Sequence, residues 1–303
     1  MVSPEARAEI DRMFAKKRDE AKRYPQGKPL EVSRREWEAE SRLLVLPKGA
    51  RFAPVTAGGV KSEWMEMPLV RRERVFLLLH GGGYNAGSPR THRKMAALLS
   101  RASHGRVLTP EYRLAPEHVF PAAVKDSLKA YGWLLEQGIG DDNIVIGGDS
   151  AGGGLALSLL LALREAGARM PRAAVLLSPW TDLTVSSASY ERLRKLDPII
   201  TREGLREAGL WYAGKRDPAD PMASPLFADL TGLPPLLVHA GGDEVMLDDS
   251  RIFADRARAA GVEVAFKIYD GMWHVHHHGA PDVPESMAAL NDVAAFIRAQ
   301  FGD

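Results

Sequence analysis

Cysteine is absent from all 303 residues, which excludes disulfides, thiolate-bound metals and a cysteine nucleophile, and leaves the redox compartment open. An excess of charge of either sign is also missing: 40 Lys and Arg face 39 Asp and Glu, for a formal net charge of +1. No global field then favours nucleic acid or an anionic membrane surface, and the expected partner is a small, largely neutral molecule. Long apolar runs are missing too, since no stretch approaches the ~18 residues of a spanning helix. The opening "MVSPEARAEIDRMFAKKRDEAKRYP" carries mixed charge where a secretory signal needs an apolar core. The expectation is a soluble, cytoplasmic protein with no membrane association. Internal repeats, low-complexity tracts and a linker between autonomous halves are likewise not found. With 45% hydrophobic residues, the chain can bury a sizeable core as one domain over 1–303.

What is present is a rhythm. Ser3, Pro4 and Glu5 form a helix-start signal ahead of helically spaced apolar residues. From about Ser41, "RLLVLP" and "VKSEWMEM" predict a hairpin. Short apolar runs then alternate with helical patterns: "RVFLLLH", "GRVLTPEY", "NIVIGG", "AAVLLSPW", "PPLLVHAGG" and "VEVAFKIYD", with helices from about Arg93, Pro121, Gly152 and Asp248 and a last one over "SMAALNDVAAFIRAQ". Continuously apolar strands separated by helices predict an α/β fold with a mostly parallel sheet covered on both faces. Reactive groups on such a sheet belong in the loops at the carboxyl ends of its strands. One proline-interrupted stretch, about 182–222, breaks the rhythm and predicts an insertion packing with residues 1–40 as a helical cap.

"GDSAGGG" places Ser150 between Gly148 and Gly152, after an apolar strand and before a helix, the context in which G-x-S-x-G holds a nucleophile on a sharp turn. Bulky neighbours would clash there and bury the hydroxyl. The helix start also aims the amide of Ala151 at any anion forming beside Ser150. "HGGGYN" follows another strand, and the amides of Gly81, Gly82 and Gly83 are candidates for an oxyanion hole. A phosphate cradle fits it poorly, because no Lys-Thr or Lys-Ser pair follows. His80 precedes these amides and suits ordering of the loop better than proton transfer. A serine hydroxyl needs a base held by a third group, and on this architecture the chain order is serine, acid, histidine. Asp243 is the first carboxylate past the strand "PPLLVHA", and His274 follows the next strand. Glu244, Asp248 and Asp249 are rival acids lying further into the expected helix, with Asp182 ranked below them. His274, His276, His277 and His278 match no zinc spacing, so no metal is expected; the last three are expected to be solvated or to face the lid.

Together, "HGGGYNAGS", "EYRLAPEHVFPAAVKDSLKAYGWL", "GDSAGGGLAL", "SPWTDLT" and "ASPLFADLTGLPPLLVHAGGDEVMLDDS" resemble the hormone-sensitive-lipase-like branch of the α/β-hydrolases, the bacterial family IV esterases. The resemblance runs from about residue 41 to the C-terminus. It implies an eight-stranded α/β-hydrolase with a helical cap, and a carboxylesterase acting on short- to medium-chain esters without a cofactor. By motif it assigns Ser150 as nucleophile, Asp243 as the acid opening a D-x-x-x-x-D-D/E stretch, and His274 as the base of G-M-x-H. It also allows a homodimer. The sequence departs from the family at His276, where an aromatic residue is usual.

Tyr84, Trp211, Tyr212, Met222, Leu226 and Met246 are candidates to line an apolar substrate cleft. The same triad would serve a lactone or amide hydrolase. A ligand receptor on this scaffold would have no need to retain Ser150, Asp243, His274 and the glycine loop together.

Overall fold

The first helix of the computed structural model, which describes residues 2–303, is α1 (Pro4–Arg23), and the Ser3 hydroxyl accepts the Ala6 amide at 3.1 Å as its cap. Helix α2 (Leu30–Ser41) follows. The hairpin pairs β1 (Arg51–Ala57) with β2 (Val60–Glu66) across Gly58 and Gly59, both at positive φ. The expected first strand, "RLLVLP", instead lies in the link after α2, with Leu43 and Val45 largely exposed. β1 sits at the sheet edge and is mostly exposed, so burial imposed no alternation on its sequence. Pro54 is tolerated there because an edge strand can spare one ladder amide.

Beyond the hairpin the chain alternates β3 (Arg71–Leu79), α3 (Arg93–Ser103), β4 (Gly105–Pro110), α4 (Ala122–Glu136), β5 (Ile144–Asp149), α5 (Ala151–Glu165) and β6 (Ala173–Leu177). An insertion with α6 (Ser189–Arg192) and α7 (Arg202–Ala213) precedes β7 (Leu236–Gly241), α8 (Leu247–Ala259), β8 (Val264–Tyr269) and α9 (Pro284–Phe301). The eight strands lie in the order β1-β2-β4-β3-β5-β6-β7-β8, with β2 antiparallel to both its neighbours and the other pairs parallel.

Every residue of β5, β6 and β7 is buried, as strands covered on both faces must be. One face packs Val75, Leu77, Ile146 and Leu176 against α4, α5 and α8. The other packs Phe76, Leu78, Val145 and Val175 against α3 and α9. No described helix is long and apolar enough to cross a membrane.

The carboxyl ends of β3, β5, β7 and β8 converge on one side, and α1, α2 and the insertion approach that side. They supply walls of a single cavity of about 670 Å³: Met13 from α1, Trp37 from α2, and Ile199, Ile200, Leu205 and Ala208 from the insertion.

Candidate active site

Ser150 stands between β5 and α5 with φ 55° and ψ −123°, a strained conformation for a residue with a side chain. Hydrogen bonds hold it there: its amide donates to the Leu177 carbonyl and its carbonyl accepts from the Trp180 amide, both at 2.9 Å. The flanking glycines are obligatory. A Cβ on Gly152 would lie 1.9 Å from the Leu79 carbonyl oxygen, and one on Gly148 would lie 2.3 Å from the same atom. The glycine spacing therefore lets the end of β3 press against the elbow that carries the hydroxyl.

His274 lies in the loop after β8 and lines the cavity together with Ser150. Its Nδ1 is 2.9 Å from Oε2 of Glu244, and both side chains are buried. The acid that reaches the ring is thus Glu244, which corrects the expectation of Asp243. Asp243, one residue earlier, is partly exposed; its amide donates to the Met272 carbonyl, and its carboxylate lies in the field of Arg7 and Asp270. The two neighbours differ in burial, Asp243 partly exposed and Glu244 fully buried, and only the second reaches the ring. The extra methylene of glutamate supplies the added reach.

The remaining rivals are engaged elsewhere. Asp182 accepts from Thr184 and Ser186, Asp248 pairs with Arg192 and Arg251, and Asp249 accepts from Ser187 and Tyr190.

Burial alone would depress the His274 imidazolium, but the hydrogen bond and charge of Glu244, aided by Asp197 and Asp149, outweigh it and raise its pKa. The Glu244 carboxyl is raised by burial, which the bond to His274 only partly offsets. Among the described residues, Nε2 of His274 has no hydrogen-bond partner and is left free for a proton. The Val275 amide donates to the Ser178 hydroxyl at 3.1 Å and fixes the loop, with Val275 itself at φ 51°.

Of the three loop glycines, Gly81 is removed from the oxyanion set. Its amide donates to Asp149 Oδ1 at 3.1 Å and to His92 Nε2 at 3.2 Å. The amides of Gly82, Gly83 and Ala151 make no such bond among the described residues, and Gly82 and Gly83 line the cavity beside Ser150. The free amide of Ala151 begins α5, so the positive end of a 15-residue helix points to the same place.

Asp149 anchors this arrangement. Burial would raise its carboxyl, yet His92 and His278 hold it well below the usual range. The Gly81 amide bonded to Asp149 Oδ1 ties the glycine loop to the end of β5, with His92 and His278 beside the same carboxylate. His80 braces the loop from below: its Nδ1 lies 2.9 Å from the Gly81 carbonyl and its ring stacks on Tyr112. Burial pushes its pKa down to about 3, which keeps it neutral.

The expected pocket residues are not among those that line the cavity. Tyr84 and Tyr212 are buried and stack on each other at 3.7 Å, and Met246 and Leu226 are also core residues. Trp211 and Met222 pack against that core from a partly buried position. Helix α7 turns its Leu205 and Ala208 to the cavity, while Trp211 and Tyr212, further along, face elsewhere. Nor are all three late histidines solvated. After the left-handed turn at Val275, His276 and His277 are buried, where His277 stacks on His239 and His276 packs against Tyr269. Only His278 is exposed, and it lines the cavity.

The strained serine, the buried histidine with its carboxylate and the free loop amides, all at the carboxyl end of a mostly parallel sheet, define an α/β-hydrolase. The family model for the α/β-hydrolase fold matches residues 76–278. The chain belongs to that family, in its bacterial hormone-sensitive-lipase-like branch of esterases. It is similar to an acetyl-hydrolase of Streptomyces hygroscopicus, 42% identical over 249 residues, covering 82% of this chain and 83% of that one. An esterase of Acinetobacter venetianus is 40% identical over 257 residues, with 84% of each chain covered. Among solved structures, an esterase of the bacterial hormone-sensitive lipase family superposes with a TM-score of 0.93 at 42% identity over 100% of both chains. EstE5, in a crystal soaked with p-nitrophenyl butyrate, superposes with a TM-score of 0.94 at 40% identity over 99% of this chain and 100% of that one.

Proposed function

We propose that this carboxylic-ester hydrolase cleaves short- to medium-chain acyl esters of small molecules through Ser150, His274 and Glu244, by way of an acyl-enzyme. The observation that carries the reading is the buried 2.9 Å contact between His274 Nδ1 and Glu244 Oε2, beside a strained serine that shares the same cavity. With Nδ1–H donated to the carboxylate, the neutral ring presents the Nε2 lone pair as a base. His274 takes the Ser150 proton as Oγ attacks the ester carbonyl, and Glu244 stabilises the imidazolium that forms. The amides of Gly82, Gly83 and Ala151 meet the developing oxyanion, each donor worth about 3 kcal/mol in the transition state. His274 returns the proton to the leaving alcohol; water, activated by the same ring, then releases the acid.

The chain-length reading draws on the apolar wall that Trp37, Ile200 and Leu205 give a cavity of about 670 Å³, and on the acetyl-hydrolase among the relatives. Initial rates on p-nitrophenyl esters from acetate to palmitate, for wild type and Ser150→Ala, test it. The expected result is a maximum at short or medium chains that vanishes in the variant. Equal rates for the two proteins on every ester would overturn the reading. The same comparison with lactones and anilides separates ester from lactone or amide preference.

A further inference from the structure

Between α6 and α7 the insertion carries a carboxylate that the reaction does not use. Asp197 is wholly buried, and no ion pair reaches it among the described residues. Its Oδ1 accepts the amides of Ile199 and Ile200, each at 2.8 Å, and its Oδ2 accepts the amide of Val245 at 2.9 Å. Ile199 and Ile200 line the substrate cavity, and Val245 directly follows Glu244. The backbone of Asp197 joins a third element, since Lys17 Nζ on α1 donates to its carbonyl at 3.0 Å.

We propose that Asp197 is a positioning residue: a buried clamp that locks the cap loop over the substrate cavity to the loop that carries Glu244. A buried charge is retained only where strong donors compensate its lost hydration, and three backbone amides do so here. An isosteric amide cannot replace it. Asparagine with its oxygen towards Ile199 and Ile200 turns its NH2 onto the Val245 N–H, donor against donor, and the flipped rotamer strands the other two amides.

The clamp also carries charge to the base. The groups facing His274 are Glu244 from the β7–α8 loop, Asp149 from the end of β5, Asp197 from the insertion and His276 from its own loop. Against the opposing effect of burial, Glu244 first and then Asp197 and Asp149 raise the imidazole. Removing the Asp197 charge therefore lets His274 stay neutral to lower pH.

This inference rests on the triad reading above, and its test separates the two. Rates on p-nitrophenyl acetate and hexanoate are measured from pH 5.5 to 9 for wild type, Ser150→Ala, Asp197→Asn, Asp197→Glu and Lys17→Met, with melting temperatures alongside. Asp197→Asn is expected to lower kcat/KM about tenfold through misplaced catalytic and cavity groups, and to move the acid limb to lower pH. Asp197→Glu keeps the charge, so its limb stays near that of wild type while its KM for hexanoate rises. Lys17→Met loosens only the tie from α1 and raises the hexanoate KM with the limb unmoved. If Asp197→Asn melts lower yet keeps the wild-type limb and acetate-to-hexanoate ratio, Asp197 is merely structural and the proposal fails. Should that variant not fold, an unchanged hexanoate KM in both other variants overturns it. Equal rates for wild type and Ser150→Ala would instead sink the triad, and the clamp's role with it.

Discussion

Replacing Glu244 with alanine is the sharpest single perturbation of this site. The bond it removes joins two buried groups at 2.9 Å. A hydrogen bond to a charged group contributes about 1.5–3 kcal/mol, and breaking a buried ion pair costs about 3–5 kcal/mol. The second figure overlaps the first, because the imidazolium exists only along the reaction path. A loss of about 3–5 kcal/mol from the transition state follows, or roughly 150- to 5,000-fold in kcat. Asp243→Asn, on a partly exposed carboxylate that makes no bond to the ring, is expected to stay within about threefold of wild type.

Glu244→Gln separates orientation from charge. It keeps an acceptor for Nδ1–H but removes the carboxylate that raises His274 against burial. Its rate should fall between the other two, and its acid limb should move to lower pH, because the base then stays neutral further into acid. The assay is the initial rate on p-nitrophenyl butyrate as a function of pH, with circular dichroism to verify folding. A near-normal Glu244→Ala together with a dead Asp243→Asn would refute the assignment.

Two further predictions concern the packed histidines and the cavity. His239 and His276 are buried and held down to about 4 and about 3, mainly by burial. Their folded pKa lies below that of the unfolded chain, so the unfolded state binds more protons between pH 6.5 and 4, and stability falls as pH drops through that window. The loss is about 2 kcal/mol for each at pH 5. His276→Phe removes one titration and two unpartnered ring nitrogens, so melting temperatures should rise more at pH 5 than at pH 7.5; an equal rise at both would refute the account. Leu205→Trp should lower kcat/KM for hexanoate more than for acetate, and Trp211→Ala should change neither ratio, because only the first residue lines the cavity. A reversed pattern in the ester panel would return the cleft to Trp211.

Local spacing was enough to identify the fold class and to single out Ser150 and His274, which the structure brings to one cavity. The glycines around Ser150, the apolar strand before it and the helix after it are neighbours in sequence, and steric exclusion at a turn acts over those same few residues. His274 was legible from chain order: it is the first histidine after Ser150 and the acids that follow β7, and it lies past the end of the next strand. The edge strand β1 escaped because most of it is exposed, and burial is what writes an alternating pattern into a strand.

What the tertiary structure alone decided are the choices between adjacent or distant letters. Asp243 and Glu244 are both acids past the same strand, and only the second is fully buried and reaches the ring. Gly81, Gly82 and Gly83 are identical in sequence; they differ because Asp149, 68 positions away, captures one amide and leaves the others free. The cavity is walled by Trp37, Ile200 and Leu205 because two segments distant in the chain close over the sheet, whereas Tyr84 and Tyr212, as aromatic as any pocket residue, are consumed by stacking on each other. Periodicity reports whether a residue is buried, but not which partner buries it, and at this site the partner determines the chemistry.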